Sequence, residues 1–169
     1  MSTPLRLSGV IRESVVDGPG WRFVIFSQGC PHHCEGCQNP ETHSYDGGYD
    51  STVERVMTEV RKNKLLKGVT LSGGDPFVQA KNFSVLAKMA HEEGLDVITF
   101  TGYTIEQLMS GMNDENGWKA LLDETDTLVD GKFILAQRSL ELQFRGSKNQ
   151  RVIDPKESMK MGKAVEKDF

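Results

Sequence analysis

Trp21-Arg-Phe-Val-Ile-Phe-Ser27, running on into Gln28-Gly-Cys30-Pro-His-His-Cys34-Glu-Gly-Cys37-Gln-Asn39, decides how this chain is read. The first half is a short apolar run with aromatic and β-branched residues, the composition of a buried strand. The second half places three cysteines within eight residues, and the 169-residue chain has only those three. Thiolates at offsets of four and three are soft metal ligands, and spacing this tight is a signature of metal or cluster binding, not of idle thiols. A closed iron–sulfur or structural zinc site takes four ligands. Three cysteines therefore leave two readings: His32 or His33 completes a zinc site, or one metal position has no protein ligand. Zinc ligands usually come as two separated pairs, and no second pair follows here. That favours an iron–sulfur cluster with one open iron. The two histidines otherwise read as polar residues beside the ligands.

Outward from this stretch, strands and helices alternate. Gly68–Ser72, Leu95–Phe100 and Thr127–Asp130 read as further strands. A capping box at Ser51-Thr-Val-Glu54 opens a helix carrying Val53, Val56, Met57 and Val60. A second helix carries Phe83, Leu86, Ala87 and Ala90 and stops at Gly94. Thr104 with Gln107 caps a third, bearing Ile105, Leu108, Met109 and Met112, and Trp118–Glu124 reads as a fourth. Met57, Met89, Met109 and Met112 are expected in the core and not on a metal. Such alternation predicts an α/β fold with a parallel sheet and right-handed crossovers. The chain falls short of the ~250 residues of a closed eight-stranded barrel. Residues 1–155 are expected to form one domain, and 156–169, mostly charged, read as a frayed tail in preference to a short helix.

Every predicted strand ends in a loop with chemical character: Cys30–Cys37, Ser72-Gly-Gly-Asp-Pro76, Thr101-Gly-Tyr-Thr104 and Asp130-Gly-Lys132. Parallel α/β sheets bind ligands at the carboxyl ends of their strands, so the four loops should share one rim. Alone, the Gly-Gly-Asp-Pro turn also reads as an ordinary strand-to-helix connection, with Asp75 capping and Pro76 in the first turn. Arg22 reads either as a partner for a carboxylate at the site or as an exposed strand-edge residue. Asp130 either meets a partner at the rim or caps Gly131-Lys132. The net charge of −4 offers no field for a phosphate backbone, so nucleic acid is not expected as a partner. No run of ~18 apolar residues suits a bilayer, and the first residues lack the apolar core of a secretion signal. Clustered cysteines without such a signal point to a reducing, cytoplasmic setting.

The motifs taken together carry a resemblance. Cys-x3-Cys-x2-Cys after the first strand and Gly-Gly-Asp-Pro after the second resemble the radical S-adenosylmethionine superfamily. With DGPGWR (17–22), FTGYT (100–104), LVDGKF (128–133) and RGSKNQ (145–150) added, the stretch from Asp17 to Val152 is similar to the small activating enzymes of anaerobic ribonucleotide reductase. The resemblance implies a partial, open parallel β/α barrel. It implies that Cys30, Cys34 and Cys37 hold three irons of a [4Fe-4S] cluster and are the catalytic centre, with S-adenosylmethionine on the fourth iron. Gly36, Cys37, Gln38, Gly73, Gly74, Asp75 and Thr101 are then the cofactor-binding residues. It further implies reductive cleavage to methionine and a 5′-deoxyadenosyl radical, which leaves a glycyl radical on the large subunit of the reductase. Flavodoxin or ferredoxin is the implied electron donor. Gly36 stands where many members of the superfamily carry an aromatic, and Asp75 replaces the commoner glutamate. Two rivals stand beside this: an activase of another glycyl-radical enzyme, and a non-catalytic zinc or iron–sulfur adaptor.

Overall fold

A computed structural model describes residues 2–37 and 39–169. The strands are β1 (Pro4–Ser14), β2 (Arg22–Ser27), β3 (Tyr49–Thr52), β4 (Gly68–Gly73), β5 (Asp96–Phe100), β6 (Thr127–Asp130) and β7 (Arg151–Ile153). The helices are α1 (Val53–Arg61), α2 (Ala80–Glu92), α3 (Ile105–Gly111), α4 (Trp118–Glu124) and α5 (Pro155–Met161). They build a mixed α/β fold around one sheet in the order β3-β1-β2-β4-β5-β6-β7. The central neighbours β2, β4, β5 and β6 are parallel, as the alternation predicts. The flanking pairs β1–β2, β1–β3 and β6–β7 are antiparallel, so the sheet is mixed and not parallel throughout.

β1 was not foreseen. Only Leu5 and Leu7 alternate cleanly into the core before the register shifts between Leu7 and Gly9, and the strand beyond is half-buried and then exposed until Ser14. A period-2 signal that short does not separate a strand from a loop. The predicted box at Ser51 is also displaced by one residue. Thr52 is the cap of α1, accepting from the Arg55 N–H at 3.1 Å, while Glu54 reaches back to the Thr3 N–H at 2.7 Å and ties down the start of β1. The box of Thr104 and Gln107 forms at α3 as expected.

From β2 through β4 and β5 to β6, each crossover advances one place in the same direction. Right-handed connections therefore set the helices on a single face. Phe23, Ile25, Val69, Leu71, Val97 and Leu128 point towards them and form one core with Val56, Met57, Phe83, Leu86, Ile105, Leu108 and Leu121. Each fully buried side chain of this size contributes about 1.5–3 kcal/mol.

Alternate residues Val24, Thr70, Ile98 and Val129 face the other way and are buried as well. The Asp17–Gly20 loop folds across the amino-terminal end of that face, with the Thr70 hydroxyl donating to the Asp17 carbonyl at 2.9 Å. Beneath it lies Arg22, entirely buried. Its guanidinium donates to Thr70 Oγ1 (2.8 Å), to the carbonyls of Val69 (2.8 Å) and Pro19 (3.1 Å), and pairs with Asp96. Arg22 is thus neither a rim residue nor an exposed edge residue; it locks the amino-terminal ends of β2, β4 and β5. Arg22→Met leaves Asp96 and the loop carbonyls without their donor and should cost about 3 kcal/mol of stability. An unchanged urea midpoint in the variant would contradict this role.

The chain end is also ordered where fraying was expected. Asp154 caps α5 through the Glu157 N–H at 3.0 Å, Pro155 opens it, and the buried Ser158 hydroxyl accepts from the Val165 N–H at 2.8 Å. Among the described residues, no helix is long and apolar enough to cross a membrane.

His91 on α2 bridges Glu124 (2.8 Å) and Asp126 (2.7 Å), which join α4 to β6. Burial opposes its charge, but the two carboxylates outweigh burial and raise its pKa above 6.5. Asp126 is opposed by burial as well, yet His91 and the Val97 N–H hold its carboxyl below 3.8. A raised histidine stabilises the fold fully below its unfolded pKa, and a lowered carboxylate does so above its own. The cluster is therefore most stabilising between those two ordinary values. Stability should decline as pH rises through the folded His91 pKa, or falls through that of Asp126. Urea midpoints for wild type and His91→Gln on the alkaline side test this: the decline belongs to His91 only if the variant loses it.

Candidate active site

The cysteine loop leaves β2 at the carboxyl end of the parallel strands, where β4 and β5 also end. Its backbone is tightly wound: His33 and Gly36 lie in the left-handed region (φ 49° and 72°), and the Cys37 N–H donates to the Cys34 carbonyl at 3.2 Å. The three cysteines are unpaired; Cys30 is buried, and Cys34 and Cys37 are half-buried. Backbone N–H groups of His32 and His33 face the Cys30 sulfur, and that of Phe133 faces Cys34. The Asn39 N–H donates to Cys37 Sγ at 3.4 Å. Burial nonetheless pushes the Cys30 and Cys34 thiols up, so they keep their protons until a metal displaces them.

Donors aimed at each sulfur suit thiolates bound to a cluster, whose charge such hydrogen bonds stabilise. In a four-iron cluster each cysteine has its own iron, and three soft donors at different depths on one loop fit that demand.

Asp75 fastens this loop to its neighbours. Its carboxylate has no exposure to solvent and accepts from His32 Nε2 (2.6 Å), the Thr101 hydroxyl (2.8 Å), the Gly102 N–H (3.0 Å) and the Phe77 N–H (3.0 Å). One buried residue thus joins the cysteine loop, the Gly-Gly-Asp-Pro turn and the Thr-Gly-Tyr-Thr turn. Pro76 opens the following 3-10 turn with Asp75 as its cap, so the ordinary connection reading holds at the same time. The ring of Tyr103 packs edge-on against His32, with centroids 4.6 Å apart.

Gly73 and Gly74 lie hard against the base of the cysteine loop. A Cβ on Gly73 (φ 93°) would stand 2.5 Å from the Ser27 nitrogen, and one on Gly74 would strike the Gly29 carbonyl. The Gly74 and Asp75 N–H groups bond the Ser27 and Gly29 carbonyls at 2.8 and 2.9 Å. Next to these turns the row Phe26, Ser72 and Phe100, at the carboxyl end of the face turned away from the helices, is only half-buried. A cavity of about 520 Å³ opens nearby between Gly102, Thr104, Gln107, Gly131 and Lys132. Asp130 lies buried beside it, accepting from the Ile105 N–H (2.8 Å) and from Arg151 (2.6 Å), so its carboxylate is held within the fold.

The sequence-predicted residues Cys30, Cys34, Cys37, Gly36, Gly73, Gly74, Asp75 and Thr101 therefore come together at one rim. Asp75 and Thr101 do so with their side chains bonded to each other. Gln38 lies outside the described residues. Sequence reasoning left His32 without a partner and missed Phe133; no motif signals a backbone N–H brought from a hundred residues away.

A cysteine-bearing rim of this kind defines an iron–sulfur domain, and a family model described as a 4Fe-4S single cluster domain matches residues 16–153. The chain is 37% identical over 144 residues to an anaerobic ribonucleoside-triphosphate reductase-activating protein of Vibrio cholerae, covering 80% of this chain and 89% of that one. Proteins of the same name from Escherichia coli K12 (31% identical, 80% and 90% covered) and phage T4 (32%, 81% and 86%) also match. The chain belongs to the family of anaerobic ribonucleoside-triphosphate reductase-activating proteins. Among solved structures, QueE from Escherichia coli aligns at 18% identity and a TM-score of 0.46, over 62% of this chain and 54% of that one, too distant to bear on function.

Proposed function

We propose that this chain is a radical S-adenosylmethionine enzyme that activates an anaerobic ribonucleoside-triphosphate reductase by installing a glycyl radical on its large subunit. The observation that carries the reading is the set of three free cysteines, each sulfur met by backbone donors, at the carboxyl ends of parallel strands in a chain of this family. The parallel strands β2, β4, β5 and β6, with all helices on one face, are the arc of an open β/α barrel. When bound, a [4Fe-4S] cluster and S-adenosylmethionine supply the chemistry, reductive cleavage to methionine and a 5′-deoxyadenosyl radical.

The chain's own residues hold and shield these groups. Cys30, Cys34 and Cys37 would hold the cluster and leave it one iron without a ligand from the chain, open to the cofactor. An ammonium asks for acceptors, and at Gly73 and Gly74 those would be carbonyl oxygens, since a backbone N–H only donates. Gly36 would line the cofactor beside Cys37. Asp75 and Thr101 act behind them, keeping the turns in register. Phe26, Ser72 and Phe100, half-buried at the carboxyl ends of their strands, would offer the floor for the cofactor.

The test is anaerobic reconstitution with iron and sulfide, followed by reduction and addition of S-adenosylmethionine with the reductase. Deoxyadenosine and a glycyl radical signal are expected. Without deoxyadenosine the radical chemistry is wrong; deoxyadenosine without the glycyl signal removes the reductase as target.

A further inference from the structure

Between β6 and β7 the chain makes a flap whose charge opposes that of the whole. Residues 132–151 carry five Lys or Arg and a single acid, Glu141, in a chain of net charge −4. The flap is a built element: Arg138 bridges Ser147 in antiparallel fashion, the Lys148 N–H donates to the Gln137 carbonyl at 3.0 Å, and the Ile134 N–H to Ser147 Oγ at 3.1 Å. Of its cations, Arg151 is neutralised by Asp130 and Glu106. Lys132, Arg138 and Lys148 are exposed, and no carboxylate pairs with them among the described residues. Arg138 and Lys148 stand on the two arms of the same hairpin, a like-charge arrangement that disfavours the free surface and suits an anionic partner. Beside them Leu140 is 92% exposed, with Ile134 and Leu135 exposed as well.

This flap touches the cysteine loop. The Phe133 N–H faces Cys34, Lys132 is close enough to act on it electrostatically, and a Cβ on Gly36 would meet Leu135 and Phe133. The partner that gives up a hydrogen atom must reach the cofactor floor over Phe26, Ser72 and Phe100. A donor of electrons needs only the edge of the cluster that Cys34 would hold, and the flap adjoins the Cys34–Gly36 stretch. Electron-transfer encounters are small and steered by charge.

We propose that the flap Lys132–Arg151 is the docking platform for an acidic one-electron donor protein, with Arg138 and Lys148 steering it and Leu140 seated against it. One electron leaves the reduced donor and enters the cluster; the donor is oxidised by one, the cluster reduced by one, and no bond changes. The proposal rests on the reading of Cys30, Cys34 and Cys37 as cluster ligands.

The test is Arg138→Glu with Lys148→Glu, both on the exposed surface, with reduced flavodoxin or dithionite as alternative reductants. Deoxyadenosine formation with dithionite should match wild type. With flavodoxin it should fall by about 10-fold or more at low salt, and the salt dependence should flatten. Affinity for oxidised flavodoxin, measured by fluorescence titration of the protein with or without its cluster, should weaken in parallel. Unchanged flavodoxin affinity and rate overturn the proposal. So does an equal loss with dithionite, which makes the flap part of the site, or a selective loss of glycyl radical formation under dithionite, which makes the reductase its occupant. Wild type that binds flavodoxin yet makes no deoxyadenosine with either reductant defeats the enzymatic reading instead.

Discussion

Cys34→Ala should fold and yet fail to hold a four-iron cluster. The side chain is half-buried on a loop stabilised by other contacts, so its removal should change the stability of the cluster-free protein by less than about 1 kcal/mol. Its loss from the ligand set leaves two cysteines for three irons, and neither neighbouring histidine replaces it: the His32 ring is bonded to Asp75, and the His33 ring packs on His43 at 5.2 Å. After reconstitution the variant should contain less than its full iron and sulfide, with deoxyadenosine and glycyl radical formation abolished. Iron analysis and visible absorption check the first point, and product analysis the second. Full activity in the variant would remove Cys34 from the ligand set.

Asp75→Ala should be among the most destabilising single changes at the rim, by about 3–5 kcal/mol. An ionised carboxylate only accepts hydrogen bonds, so all four of its partners present hydrogens to it. Alanine leaves the Phe77 and Gly102 N–H groups, the Thr101 hydroxyl and His32 Nε2 facing a buried void. Each unpaired group carries a penalty of about 1–3 kcal/mol, eased where the loops part and admit water. Asp75→Asn keeps the shape and one acceptor oxygen, but points an amide at one of the donors, so a smaller loss is expected. Urea midpoints rank the three proteins. Amide exchange across Cys30–Cys37 should quicken in the alanine variant, because the loop loses its anchor to the two turns. A midpoint for Asp75→Ala close to wild type would mean that the loops hold their register without the carboxylate.

The strand–helix alternation from β2 to β6 was legible because each element is either a continuous apolar run or a clean helical period with caps. The box at Thr104 and Gln107 and the stop at Gly94 appear where expected. β1 escaped because its alternation ends at a register shift, and β7 because three residues are too few to carry a period. The chain end was misjudged on charge alone. Asp154-Pro155 is a helix start, and Ser158 and Met159 give α5 a side to bury. Arg22 read as either a site residue or an exposed edge residue and is neither, since a sequence gives a residue's position on a strand but not which loop folds over it.

By itself the sequence determined the chemistry of this protein. Three cysteines and no fourth, a glycine-paired turn and chemically distinctive residues at each strand end are covalent facts, and ligand type follows from residue type. How the rim is fastened together was decided only by the tertiary structure. Asp75 and Thr101 stand in separate turns of the sequence, and packing turns their polar atoms towards each other, because a buried carboxylate must find donors wherever the fold supplies them. The same holds for the flap. Its charges are visible in the sequence, but only the return of the chain from β6 to β7 brings the Phe133 N–H to Cys34 and the Lys132 charge within its reach. Spatial adjacency between residues so far apart in the chain is set by sheet order, and no local pattern encodes it.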